Sequence, residues 1–241
     1  MSSGLFVART AERGRARSHS EDKNLKQVEG WNPEDFAREQ IQGLVRQLFF
    51  SSVERPVRQV VFSAAEPETD VQDLCWRVVE ALALETAEGI ALAGEYPQAL
   101  RGAESRATEM TNPEAEDGSR GLRQGAKRVG ANLWILPRIV PRAGNESSRV
   151  NNTAALHSYL AAMRSQFDYS IVAAPPAAES NAATALAQLA DGIVLVLSER
   201  HTRRITASRI KEKLEAARAR LLGTVLGDRT FPIPEQIYRR L

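Results

Sequence analysis

The sequence predicts one α/β domain: a doubly wound, mostly parallel sheet with helices on both faces. Three observations predict it. Strand-like and helix-like segments alternate along most of the 241 residues. The strand candidates are continuous apolar runs rather than alternating ones, the pattern of a parallel sheet covered on both faces. No internal repeat interrupts the alternation.

Residues 1–30 are polar, charged and without periodicity, and read as a disordered tail. Arg9, Arg13, Arg15 and Arg17 are interleaved with Glu12, Glu21 and Asp22, so the charge is mixed and suits a solvated tail better than a basic arm. A helical unit follows over residues 31–56. Asn32-Pro-Glu-Asp35 supplies an N-cap, a first-turn proline and acids at the positive end. Phe36, Ile41, Leu44, Val45 and Leu48 give an apolar stripe to about Phe50. Glu54-Arg-Pro56 breaks it.

The α/β domain proper spans 57–241. Val57–Phe62 is an apolar strand run. A helix from about Val71 to Leu84 turns Leu74, Cys75, Val78, Val79 and Leu82 inward. Gly89–Ala93 is a short strand. The polar stretch from about 97 to 128, with turn signals at Asn112-Pro113 and Asp117-Gly118, reads as a long flexible insertion with room for a short helix. Asn132–Leu136 is a strand, Pro141–Asn152 a polar loop, and Thr153–Gln166 a helix burying Leu156, Leu160 and Met163. Tyr169–Ala173 is a strand closed by Pro175-Pro176, and Ala182–Ala190 an Ala-rich helix. Gly192–Leu197 is the cleanest buried strand, Thr202–Arg220 a basic amphipathic helix, and Leu222–Leu226 the last strand, before a tail containing Phe231 to Tyr238.

Net charge is +2, so bulk charge does not single out nucleic acid as a partner. Cys75 is the only cysteine, which rules out an internal disulfide and fits a reducing cytoplasm. No run reaches the roughly 18 to 20 apolar residues of a membrane span. The N-terminal arginines are followed by no apolar segment of a secretory signal. A cytoplasmic protein is expected, recruited to the inner membrane face only through a partner. His157 and His201 have no ligand spacing, and Cys75 has no histidine near it in sequence, so neither a metal centre nor a thiol nucleophile is expected.

Three segments carry a resemblance. Phe167-Asp-Tyr-Ser-Ile-Val-Ala-Ala-Pro-Pro176 is similar to the Walker B segment of the bacterial tyrosine kinases (BY-kinases) of capsule and exopolysaccharide synthesis, relatives of the MinD and ParA ATPases. Leu189-Ala-Asp-Gly-Ile-Val-Leu-Val-Leu197 resembles that family's next strand, and Thr202 to Leu226 its final helix and strand. The likeness covers about residues 35–241 and implies a P-loop NTPase-like domain.

Within it, the nucleotide site departs from the family pattern. Ala64-Ala-Glu-Pro-Glu-Thr-Asp-Val-Gln-Asp73 falls on the phosphate loop. Pro67 survives. Glu68 and Asp70, with Thr69 between them, replace two glycines. Val71 replaces the lysine, and Gln72 the magnesium-holding hydroxyl, with Asp73 after it. The glycines let a backbone wrap a phosphate and the lysine neutralises it, whereas here carboxylates enter. Ala93-Gly-Glu95 stands for the Asp-x-Asp pair, keeping only Glu95. Ala173 takes the place of the Walker B aspartate, ahead of Pro175, and Gly227-Asp228-Arg229 replaces the asparagine-bearing turn near the base. Of the family's ring-assembly pattern on the first helix only Glu39 matches, with Gln42 and Val45 at the arginine positions, and Tyr238 stands alone where the family has a tyrosine cluster.

Glu68, Asp70 and Asp73 read as exposed loop and helix-start acids rather than a cation site. Arg203, Arg204, Arg209, Lys211, Lys213 and Arg218, interrupted by Glu212 and Glu215, read as a solvated face before a docking surface. Trp76 has two readings: filler of a vacated nucleotide site, or a partner-facing residue.

The resemblance implies a catalytically degenerate kinase-like regulator or scaffold of exopolysaccharide export, with no cofactor. The implied partners are a membrane-embedded polysaccharide chain-length regulator or an active kinase paralogue; a homo-oligomer is a further expectation, nucleic acid is not. The alternative is an active ATP- and Mg²⁺-dependent tyrosine kinase with a displaced site, drawing on Lys127, Arg128 or Arg229 and on Glu95. A MinD-like positioning adaptor is a third, more remote reading.

Overall fold

The computed structural model describes residues 4–6, 33–51, 55–94, 121–136 and 153–227. The strands are β1 (Gly4–Phe6), β2 (Gln59–Ala64), β3 (Ile90–Ala93), β4 (Lys127–Arg128), β5 (Leu133–Leu136), β6 (Tyr169–Ala174), β7 (Gly192–Ser198) and β8 (Leu221–Gly227). The helices are α1 (Pro33–Val45), continued by a π-helical turn (Arg46–Phe50), then α2 (Val71–Glu85), α3 (Leu122–Gly125), α4 (Thr153–Gln166), α5 (Ala182–Leu189) and α6 (Arg204–Ala216). One eight-stranded sheet runs in the order β1-β8-β7-β2-β6-β3-β5-β4, with every pairing parallel except β4 on β5.

Successive strand residues point to opposite faces, and the two cores follow that rule. On one face Val60, Phe62, Ile90, Leu92, Ile171 and Val194 pack under α1, the π-turn and α2. On the other Val61, Ala91, Val172, Ile193 and Leu195 pack under α4, α5 and α6. Because both faces are covered, the strands read as unbroken apolar runs. Among the described residues no helix is long and apolar enough to cross a membrane.

Three features differ from the sequence reading. Gly4–Phe6, expected to lie in a disordered tail, forms β1, its backbone parallel to β8 with Gly4 opposite Thr224; it occupies an edge whose amides and carbonyls would otherwise lack partners. Residues 7–32 and the tail from 228 lie outside the described residues. Lys127–Arg128, placed in the flexible insertion, forms an edge strand against β5. Beside it Trp134 is flanked by two cations, with the Arg123 guanidinium 4.8 Å and the Arg128 guanidinium 5.3 Å from its ring, contacts that tie residues 121–128 to the sheet. Thirdly, the first helix reaches Phe50 as expected, but its last turn is π-helical. That turn sets the consecutive Phe49 and Phe50 edge-on to Tyr169, with centroids 5.5 and 6.0 Å away. Burial, reinforced by Glu88, raises the Tyr169 phenol above its ordinary range.

Two aspartates of the recognisable motifs have structural partners. The Asp191 carboxylate accepts from the Arg58 and Gln59 amides, each at 2.8 Å, and pairs with Arg164 at 2.9 Å. Asp168 accepts from the Gly89 amide at 2.9 Å, and its own amide donates to the Gly89 carbonyl at 2.9 Å. Each carboxylate pins the start of a strand laid down far away in sequence. Next to Asp191, Gly192 is sterically required: a Cβ there would lie 2.6 Å from the Arg220 carbonyl and 2.6 Å from the Leu222 side chain. Gly192→Ala is therefore expected to cost about 2 kcal/mol, read as a lower urea midpoint, with the β7–β8 amides losing hydrogen-exchange protection first.

Candidate functional site

The loop Ala64–Asp73, the Ala93-Gly94 pair and the stretch Ala173–Pro176 meet at the carboxyl ends of β2, β3 and β6. In open α/β sheets that is where ligands bind, at the point where strand order reverses. Here the chain runs outward from β2 to β3 and β5, returns to insert β6 between β2 and β3, and then places β7 on the far side of β2. The loop after β2 is knitted to the loop after β6. Ala177 and Ala178 donate to the carbonyls of Ala64 and Ala65, and Ser63 Oγ donates to the Pro175 carbonyl at 2.7 Å. The Ala65 amide donates to Val196 of β7 at 2.8 Å.

Residues 66–69 make a tight turn closed by the Thr69 amide donating to the Glu66 carbonyl at 3.3 Å. Pro67 and Glu68 are exposed on it. Among the described residues Arg218 is the only non-glycine residue with a positive φ. Glu68 and Asp70 thus hold ordinary backbone angles, and the turn does not use the freedom that glycine would give. Thr69 Oγ1 and Glu66 Oε2 are buried with no hydrogen-bond partner among the described residues.

Asp70 is the N-cap of α2, its carboxylate accepting from the Gln72 amide at 2.9 Å. A helix N-terminus presents unpaired amides and a partial positive charge, and in this loop its own chain answers both. Val71, at the lysine position, is 6% exposed and belongs to the core under α2. Asp73 pairs with Arg77 one turn on, at 2.9 Å.

Gln72 links the segments. A Cβ on Gly94 would come within 2.8 Å of Gln72 Oε1 and 3.3 Å of the Ala173 methyl. The Gln72 side chain therefore lies across the end of β3 beside Ala173, the position of the Walker B aspartate. Ala93 and Ala173 are buried, at 2% and 5% exposure, so neither position offers an oxygen to a cation. Pro175 is half-buried, and Glu95, Asp228, Arg229 and Tyr238 lie outside the described residues. Trp76 packs half-buried against the first core. Its indole hydrogen-bonds Glu80, whose carboxyl is raised by burial, an effect partly offset by that bond and by Arg77.

Two of the proposed substitute cations, Lys127 and Arg128, are placed elsewhere. Lys127 and Arg128 sit on β4, four strand positions from β2, about 19 Å at 4.8 Å per strand. Arg128 is committed to Trp134 and the Gly130 carbonyl. On α6, Lys213 turns inward and donates to the Ala177 carbonyl at 3.3 Å, while Lys211 pairs with Glu215 at 3.5 Å. On the first helix Val45 is fully buried and Arg46 pairs with Glu85 at 2.7 Å; Val45 faces the core rather than a neighbouring subunit.

Sequence reasoning located the loop. It missed the Gln72–Gly94–Ala173 contact, because the side chain that fills a site is not encoded in the motif that defines it. It also missed the structural roles of Asp168 and Asp191, although both stand inside the motifs it used.

No family model matches the chain, and no curated protein matches it by sequence. Solved structures match its fold. The kinase domain of the Escherichia coli tyrosine kinase ETK is 17% identical, with 89% of this chain and 84% of that one covered, at a TM-score of 0.66. The BceF tyrosine kinase domain is 17% identical over 80% and 77%, at 0.58. The VpsO kinase domain is 18% identical over 82% and 98%, at 0.57. The chain has the P-loop NTPase-like α/β fold of these kinase domains, the architecture that the sequence implied.

Proposed function

We propose that this chain is a non-catalytic relative of the bacterial tyrosine kinases, acting as a regulatory or scaffolding component of exopolysaccharide or capsule biosynthesis. One observation carries the loss of catalysis: the Asp70 carboxylate caps the helix whose N-terminus would otherwise hold a phosphate. Two like charges at about 4 Å cost roughly 4 kcal/mol at a surface-like effective dielectric. The whole binding free energy of a micromolar ligand is about 8 kcal/mol. Removing the lysine, with Val71 buried in its place, forfeits an attraction of similar size. The residues at this site do not fit a magnesium nucleotide: Asp70 repels the phosphates, Ala173 supplies no oxygen, and the Gln72 side chain lies against Gly94 at the end of β3.

The pathway rests on the kinship in fold alone. Under this reading the chain works at the inner membrane face, held by a membrane-embedded chain-length regulator or an active kinase paralogue. The helix from Asp35 to Phe50 and the segment from Phe231 to Leu241 are the proposed docking elements.

Titration calorimetry with ATP and with ADP, each with Mg²⁺, tests the reading. No saturable heat is expected at about 1 mM nucleotide. Micromolar binding would overturn it and favour an active kinase with a displaced site; ATP hydrolysis lost in Glu95→Ala would then identify the metal carboxylate.

A further inference from the structure

At the opposite end of the sheet from the Asp70 loop, the π-turn and β8 enclose a cleft of ≈ 200 Å³. For scale, an aliphatic cavity of about 150 Å³ accepts benzene. Its floor is apolar, made by Leu44, Leu48, Val57, Val194 and Val225. Gln47, Thr224 and Arg220 stand among the lining residues with polar groups. The described lining contains one cation and no acidic residue. Arg220 is exposed, and its guanidinium has no hydrogen bond or ion pair among the described residues.

Two departures from regular geometry face this cleft. On one side α1 widens into the π-turn, Arg46–Phe50. On the other β8 bulges: pairing with β7 steps from Ile193–Leu221 to Val194–Gly223, leaving Leu222 as the extra residue. Gly192 is held to glycine by the Arg220 carbonyl and by the Leu222 side chain of that bulge. π-turns and β-bulges each give up regular hydrogen bonding and recur beside functional sites. Two of them opening one cavity make a built site. β1 already occupies the free edge of β8, so the site is not a slot for an added strand.

We propose that this cleft binds a small amphiphilic carboxylate, an aliphatic or aromatic acid of about six to ten carbons. The hydrocarbon lies against Leu48 and Val194, and the carboxylate pairs with Arg220, whose guanidinium matches it in shape and charge. The site is independent of the Asp70 loop and of any nucleotide there.

The test is calorimetric titration of the full chain with sodium octanoate, octan-1-ol and octylammonium chloride. Octanoate is expected to bind saturably, with a Kd of about 0.1 mM, octanol about tenfold more weakly, and octylammonium not measurably. Arg220→Gln, a surface change, brings octanoate down to the octanol level and leaves octanol as it was. Leu48→Trp, which fills the floor, abolishes both. The proposal is overturned if octanoate fails to saturate by about 10 mM, if octanoate and octanol bind the unaltered chain equally, or if Arg220→Gln leaves octanoate binding unchanged. Should Leu48→Trp not fold, the Arg220→Gln comparison decides alone.

Discussion

Ala173→Asp is expected to unfold about 10 °C below the parent chain at pH 8, a loss of about 3 kcal/mol. Ala173 is 5% exposed, belongs to the core under α1 and α2, and has Gly94 and the Gln72 side chain beside it. A carboxylate there leaves water for a site that offers it no cation. Burial raises the folded pKa of the new carboxyl above its unfolded value of about 3.9. The penalty is therefore smallest below about pH 4 and grows as pH rises through the folded pKa. Thermal denaturation of the variant at pH 5 and pH 8 reads that difference. Added Mg-ATP separates the two functional readings. A site that still handles a metal nucleotide would regain stability when its aspartate returns, because a ligand that binds only the folded state stabilises it. The expectation here is no rescue at either pH.

The second large effect is expected at Asp191. Asp191→Ala leaves the Arg58 and Gln59 amides without their acceptor and strips Arg164 of its counter-charge. The Asp191 side chain is 18% exposed, so water replaces these bonds poorly, and the loss should be about 3 kcal/mol. Asp191→Asn keeps an oxygen for the amides and gives up only the charge; it should cost about 1 kcal/mol. Arg164→Ala, on the exposed side of the pair, should cost less than about 1 kcal/mol. Urea unfolding of the three variants checks the order. Equal losses for Ala and Asn would mean that the ion pair, not the capping of β2, is what matters.

The parts of the fold that were legible in the sequence are those whose causes are local. Helix-start acids and an inward apolar stripe mark a helix from about Val71 to Leu84 in the sequence, and α2 stands there, over Val71–Glu85. The runs at Gln59–Ala64 and Gly192–Ser198 are apolar because both faces of the sheet are covered. What was illegible depends on distant partners. β1 is three residues with no run of its own, and it exists because β8 has an edge to cover. Lys127–Arg128 is too short and too basic to read as a strand, and is held by cations stacked on Trp134. The π-turn escapes periodicity because Phe49 and Phe50 both answer to Tyr169, more than a hundred residues away. The candidate site shows the same division. That Glu68, Asp70 and Val71 stand in the loop, with no glycine or lysine from 64 to 73, is written in the sequence itself. That Gln72 lies beside Ala173 appears only once β3 and β6 are neighbours.

The pairing of β1 with β8 sets an order on biosynthesis. Gly4–Phe6 is made more than two hundred residues ahead of Thr224, which lies opposite Gly4. While the chain is being made, this segment has no strand to join, and β7 has no neighbour on its outer side. The edge is completed only once β8 has been synthesised. A nascent chain stalled before β8 would display the bare side of β7, an invitation to a second nascent chain or to a chaperone.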